Sequence, residues 1–142
     1  MIYTDMTKKA LRLCFDAHKD QKDKSDLPYV FHPFHLAEQM TDEATTIVAL
    51  LHDVIEDTDV TLADLQAEGF SREILDAVAL LTHDKSVNYT DYVLKIKENP
   101  IAKAVKLADL THNSDTTRLE VVDEAALKRR QKYLDAIQLL TE

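Results

Sequence analysis

Between Asp42 and Asp57 the sequence sets Ala44, Ile47, Val48, Leu50, Leu51, Val54 and Ile55 on a helical repeat and then runs into HDVIED, His52 to Asp57. That apolar surface is too broad for a helix at the solvent edge, so this helix should cross the middle of the molecule with Asp42 as its cap. One His and three acids therefore fall on the segment expected to be most buried. Burying carboxylates costs several kcal/mol each unless they are paired or bind a cation, so the cluster calls for a compensating charge. His52 and Glu56 are four residues apart, as are Asp53 and Asp57. On one continuous helix that spacing makes two adjacent stripes converging on a small volume. The plainer reading of HDVIED is a solvated helix end before the turn TDVT.

The rest of the chain also reads as helix. Ala10, Leu11, Leu13, Cys14 and Ala17 recur at helical spacing and predict a first helix from about residue 4 to about residue 20. KDQKDKSDLPYVFHP is a loop, in which Pro28 biases Leu27 away from helical geometry. Pro33 suits the first turn of a second helix, which carries His32 at its entrance and runs to about Met40. A short helix from Thr61 to Glu68 stops at Gly69, and Ser71 caps another reaching about Leu81. Further helices run from about Tyr89 to Glu98 and from Ile101 to about His112. The last, from about Asp123 to Leu140, is expected to bury Ala126, Leu127, Tyr133, Leu134, Ile137 and Leu140. With one glycine, three prolines and no alternating strand pattern, the chain predicts an all-α bundle of about seven or eight helices. No repeat, low-complexity run or linker-like shift divides it, so residues 1–142 are expected to form a single domain.

A net charge of −9 argues against a nonspecific nucleic-acid binder, which relies on many Lys and Arg contacts to phosphates. An anionic ligand would need a local basic cluster or a metal to offset that field. Cys14, the one cysteine, lies in an apolar periodic stretch and reads as a buried structural thiol, which suits a reducing cytosol. No stretch approaches the roughly 20 apolar residues of a membrane span, and the charged N-terminal segment lacks a signal-peptide core. A soluble cytoplasmic protein is the expectation.

Two further segments weigh against the solvated-end reading of HDVIED. PYVFHP places His32 after a rigid Pro-containing loop. AVKLADLTHN places Asp109 between Leu107, Ala108 and Leu110, where a lone Asp needs a partner. Two histidines and two aspartates make a mixed nitrogen and oxygen ligand set, suited to Mn²⁺, Fe²⁺, Co²⁺ or Zn²⁺ rather than Ca²⁺ or Mg²⁺.

His32, His52-Asp53 and Asp109 in this order resemble the H…HD…D signature of the HD superfamily. PYVFHPFHLAEQM, IVALLHDVIEDT and NPIAKAVKLADLTHNSD together resemble the hydrolase domain of RelA/SpoT proteins and the small stand-alone alarmone hydrolases, over about residues 5 to 135. Relatives of this kind are sometimes labelled GTP pyrophosphokinases, but no synthetase region is visible in these 142 residues and none is expected. The resemblance implies a compact HD-domain bundle, a single Mn²⁺, and removal of the 3′-pyrophosphate of guanosine tetra- or pentaphosphate. It makes His32, His52, Asp53 and Asp109 the metal ligands. Glu56 and Asp57 become the acidic pair that positions and deprotonates the attacking water. Lys24, Asn113, Arg129 and Tyr133 fall where the family contacts nucleotide or phosphate. The implied partner is a small nucleotide, with no nucleic-acid polymer or membrane, and a homo-oligomer is left open.

Residue chemistry agrees with those roles. Arg129 and Tyr133, four residues apart on the last helix, can address one ligand, and Lys19, Lys22 and Lys24 concentrate positive charge before His32. The run LKRRQK reads either as a solvated helix face or as Arg129 lining the site. His112, three residues after Asp109, reads as a polar surface residue, and His18, His35 and His83 as ordinary structural or surface residues. One position departs from the family. Where alarmone hydrolases commonly carry an Arg-Lys pair before PY, this chain has Asp23 and Lys24. Two alternatives stay open: an HD phosphohydrolase of another nucleotide or phosphorylated metabolite, and a non-catalytic metal-containing ligand-binding module.

Overall fold

The computed structural model describes all 142 residues. Nine helical segments follow in order: α1 Asp5–His18, α2 Phe31–Glu38, α3 Glu43–Leu51, α4 Val54–Asp57, α5 Leu62–Ala67, α6 Arg72–Leu81, α7 Tyr89–Lys97, α8 Pro100–Asn113 and α9 Glu124–Thr141. A short 3-10 turn, Thr116–Arg118, precedes the last. There is no sheet, only one isolated bridge between Lys22 and Pro28, so the expected all-α architecture is the observed one. No helix is long and apolar enough to cross a membrane.

Most helix starts follow local chemistry. Thr4, Asp42, Thr61, Ser71, Asn88, Asn99 and Asp123 each stand in extended geometry and accept a backbone N–H of the first turn through the side chain. Pro100 opens α8 at the position where its missing N–H leaves nothing unpaired. Gly69 follows α5 with φ +94, a left-handed conformation that side chains disfavour.

α3 is the central helix, as its apolar breadth predicts. Ile47, Val48, Ala49, Leu50 and Leu51 are all at most 1% exposed, and the helix lies against α1, α2, α6 and α8. The sequence reading differs from the structure at its end. The predicted continuous helix through HDVIED is broken: α3 closes at Leu51, Asp53 has φ −106 and ψ 0, and α4 starts at Val54. The Asp53 backbone lies in the bridge region, and its side chain is held by Tyr29 and His52 rather than stacked in a helical stripe. The two stripes inferred from i,i+4 spacing therefore do not form. His52 is buried, whereas Glu56 and Asp57 are exposed.

α9 buries Ala126, Ala136 and Leu140, with Tyr133, Leu134 and Ile137 partly covered, but Leu127 is 53% exposed. One residue rotates the helix by about 100°, which turns Leu127 off the face that Ala126 shares with Tyr133 and Leu140. Helix α2 begins at Phe31 rather than at Pro33, and Pro33 still falls in its first turn.

Candidate metal centre and the adjoining pocket

Three helical elements meet where the predicted ligands lie. His32 stands in the first turn of α2, His52 closes α3, and Asp109 lies on α8. All three are buried, and one ligand atom of each lies within 4.8 Å of the others. His32 Nε2 is 2.9 Å and His52 Nε2 3.6 Å from Asp109 Oδ1. Asp53, the fourth predicted ligand, lies outside that mutual 4.8 Å set. Its Oδ2 is 3.0 Å from His52 Nε2 and accepts the hydroxyl of Tyr29.

The protonation pattern shows that these side chains fit a cation. His52 Nδ1 lies 2.7 Å from the Ala49 carbonyl and must donate to it, which makes Nε2 the nitrogen left to take a proton or a metal. That Nε2 is buried without a hydrogen-bond partner and faces the carboxylates of Asp53 and Asp109. A lone pair and two carboxylates directed at one another are repulsive unless positive charge stands between them. Burial opposes a charge on His52, but Asp53 and Asp109 outweigh it and raise the imidazole well above its ordinary range. A divalent cation answers the same demand, and the nitrogen and oxygen donors suit one.

Asp109 is held from several sides. Lys106 Nζ donates to its Oδ2 at 2.9 Å, and Asn113 Nδ2 donates to its Oδ1 at 3.0 Å. Burial disfavours the Asp109 carboxylate, yet Lys106 and the two histidines hold its titration well below the usual carboxylate range. Lys106 thus directs one oxygen away from the cluster and leaves the other facing it. The sequence reading missed Lys106 and Tyr29. The i,i+3 spacing of Lys106 and Asp109 on a helix was a usable signal for the first.

Glu56 and Asp57 sit beyond the break on α4. Glu56 Oε1 accepts the backbone N–H of His83 at 2.7 Å, which ties α4 to the end of α6. The Asp57 carboxyl is pushed up to about 6 by partial desolvation and by the nearby Asp53 and Glu56 carboxylates.

A cavity of about 310 Å³ opens beside His32. Lys24, Asn113, Arg129 and Tyr133, the four residues expected to contact substrate, all line it. Lys22, Arg118 and Arg130 line it as well, so five cations face Asp23 and Asp115 across one pocket. This is the local basic cluster that an acidic chain needs for an anionic ligand. Lys19 is not part of it. Arg118 lies in SDTTRLE, where no periodicity betrays its place; its Nη1 donates to the His112 carbonyl at 3.0 Å. Asp23 lines the pocket too, but its Oδ1 accepts the backbone N–H of Ser25 at 2.8 Å and of Leu27 at 3.0 Å. Those bonds shape the loop that turns at Asp26, φ 63.

Among the other histidines, His112 corrects the expectation of a surface residue. It is half-buried, its ring lies edge to edge with that of His32, 5.0 Å between centroids and 5° between planes, and the two Nδ1 atoms are 2.7 Å apart. His18 is wholly buried and pairs with Gln21 at 2.8 Å, His83 bonds the Val87 carbonyl at 2.7 Å, and His35 is exposed. Cys14 is buried, and burial, aided by Asp53, pushes its thiol up to about 12, as a structural thiol requires.

No family model matches the chain. It is 39% identical over 115 residues to a guanosine-3′,5′-bis(diphosphate) 3′-pyrophosphohydrolase of Vibrio cholerae, covering 71% of this chain and 16% of that protein. It is 36% identical over 123 residues to the bifunctional (p)ppGpp synthase/hydrolase SpoT of Escherichia coli, covering 77% and 18%. A pyrophosphohydrolase of the same name from Aquifex aeolicus is 31% identical over 126 residues, covering 80% and 18%. The chain thus spans less than a fifth of the length of these curated relatives. A solved structure described as a metazoan ortholog of SpoT that hydrolyzes ppGpp and plays a role in starvation responses superimposes with a TM-score of 0.75. It is 26% identical, and the match covers 99% of this chain and 85% of that one.

Fold and site together define an all-helical domain of the HD type with a candidate His/Asp metal centre. Within that class the chain is a relative of the RelA/SpoT proteins.

Proposed function

We propose that this chain is a metal-dependent phosphohydrolase, using Mn²⁺, that removes the 3′-pyrophosphate of guanosine tetra- or pentaphosphate to give GDP or GTP and pyrophosphate. The observation that carries the metal dependence is the buried, unpartnered Nε2 of His52 among Asp53 and Asp109. The substrate class is supported by the basic pocket against His32 and by the names of the relatives. The reading takes His32, His52, Asp53 and Asp109 as ligands and residues 1–142 as one HD domain. It places the activity in the cytoplasm, where a thiol such as Cys14 stays reduced.

When bound, a divalent cation supplies Lewis acidity, easing proton loss from water and offsetting charge on a phosphoryl oxygen. The protein does the rest. Lys24, Arg129 and Arg118 offset the charge of the phosphates, and Asn113 and Tyr133 orient the nucleotide at the mouth beside His32. Glu56 and Asp57 take the proton of the attacking water, and the nearly neutral operating range of Asp57 suits that task. Tyr29 and Lys106 hold Asp53 and Asp109 in place.

Pyrophosphate and orthophosphate release by Mn²⁺-loaded protein, assayed separately over a panel of nucleotides, tests the reading. Pyrophosphate from guanosine tetraphosphate is the expected result. Orthophosphate from a different nucleotide selects the broader HD phosphohydrolase, a reading that the Asp23 carboxylate in the pocket favours. No release from any nucleotide leaves a binding module.

Asp23 gives a finer prediction. Asp23→Asn keeps the oxygen that accepts Ser25 and Leu27 but removes the charge facing the ligand. It should lower KM for guanosine tetraphosphate with little change in kcat, and the gain should shrink as salt rises. Steady-state pyrophosphate release at low and moderate salt checks this. Asp23→Arg tests the family residue itself but loses the two loop bonds, so its effect on KM should be smaller than a gain of two charges suggests.

A further inference from the structure

His32 is 4% exposed, and its two ring nitrogens face different neighbours. Nε2 lies in the ligand cluster, 2.9 Å from Asp109 Oδ1, and Nδ1 lies 2.7 Å from Nδ1 of His112. An imidazole that offers Nε2 to a cation carries its proton on Nδ1, and that proton needs an acceptor when buried. The only partner in reach of His32 Nδ1 is the ring nitrogen of His112. His112 is itself fixed: its ring lies parallel to His32 at 5.0 Å and 4.1 Å from His35, and Arg118 clasps its carbonyl at 3.0 Å.

We propose that His112 is a positioning residue of the metal centre, whose Nδ1 lone pair accepts the Nδ1 proton of His32 and so presents His32 Nε2 to the metal. The inference rests on the metal reading above and adds a residue to it. His112 touches neither the metal nor the substrate in this role. It fixes which His32 nitrogen is free and the plane in which that nitrogen points. Its own proton is then on Nε2. The same contact links the centre to the pocket wall, because Arg118 is bonded to His112 and to Asn113 and lines the cavity.

The test is a titration of metal-freed protein with Mn²⁺, followed by calorimetry, with melting of the metal-free forms as a check on folding. Asn places its amide oxygen where Nδ1 of His112 stands, whereas Phe keeps a ring of similar shape but has no acceptor. His112→Phe should weaken Mn²⁺ binding by about 10- to 100-fold, the range found for partners of metal-bound histidines. His112→Asn should stay within a few-fold of the parent. If the Phe variant does not fold, His112→Asn and His112→Gln decide, because the Gln oxygen reaches the Nε2 position instead. Binding retained in Asn and weakened in Gln supports the role. Parent-like binding in His112→Phe, or equal binding in Asn and Gln, overturns it. A parent protein that binds no Mn²⁺ removes the metal reading itself, and the inference with it.

Discussion

Replacing Glu56 by Gln and Asp57 by Asn together lowers turnover of guanosine tetraphosphate by at least about 100-fold, the usual scale of a general base, while metal content stays at the parental level. The amides keep volume and hydrogen-bonding shape, so the fold has no reason to change. In the double variant the amide oxygen at position 56 can still accept the His83 N–H that Glu56 Oε1 accepts at 2.7 Å. What the pair loses is the capacity to take a proton near neutral pH. Neither side chain is among the four proposed ligands, His32, His52, Asp53 and Asp109, which is why metal binding should be spared. Metal analysis together with kcat separates the two roles. A double variant with near-parental kcat would assign both acids to holding α4 against α6. The single variants add detail, since Asp57, with its carboxyl near 6, should account for more of the loss than Glu56, which is already engaged.

Asp53→Ala has the second large effect: bound Mn²⁺ is lost or much weakened, and the chain remains folded. The Asp53 oxygen lies 3.0 Å from His52 Nε2, beside the other proposed ligands, so its removal takes one of four donors from the centre. The residue is partly exposed, and Tyr29, whose hydroxyl it releases, is itself only partly buried and lines the pocket. Asp109→Ala should lose metal too but should also destabilise the fold by about 3–5 kcal/mol, the scale for breaking a buried ion pair, because Lys106 would be left without its carboxylate. Metal analysis and thermal melts with and without chelator distinguish these outcomes. Equal metal content in Asp53→Ala and the parent would remove Asp53 from the ligand set.

Much of this architecture is written in short-range chemistry. The caps at Asp42 and Ser71 and the stop at Gly69 are local decisions of the backbone, and each lies where the sequence alone puts it. The central place of α3 follows from its apolar breadth. His32, His52 and Asp109 are legible because a polar residue within an apolar segment needs a partner, and three such residues in separate segments can satisfy one another. The break after Leu51 was not legible. It depends on a tertiary contact, Tyr29 to Asp53, that local spacing does not contain. His112 escapes a sequence reading for the same reason, since its partner His32 is 80 residues away. Arg118 and Arg130 reach the pocket only because the 3-10 turn and α9 fold back over α8. Asp23 shows a further limit: its residue type suggested charge repulsion, whereas its oxygen also builds the loop.

The measurement that bears most directly on the account is pyrophosphate release from guanosine tetraphosphate by protein stripped of metal and then titrated with Mn²⁺. The account predicts no release from the stripped protein and turnover that rises with added Mn²⁺ and levels off near one ion per chain. Release that is undiminished after chelation, or that never appears at any Mn²⁺ concentration, would contradict it.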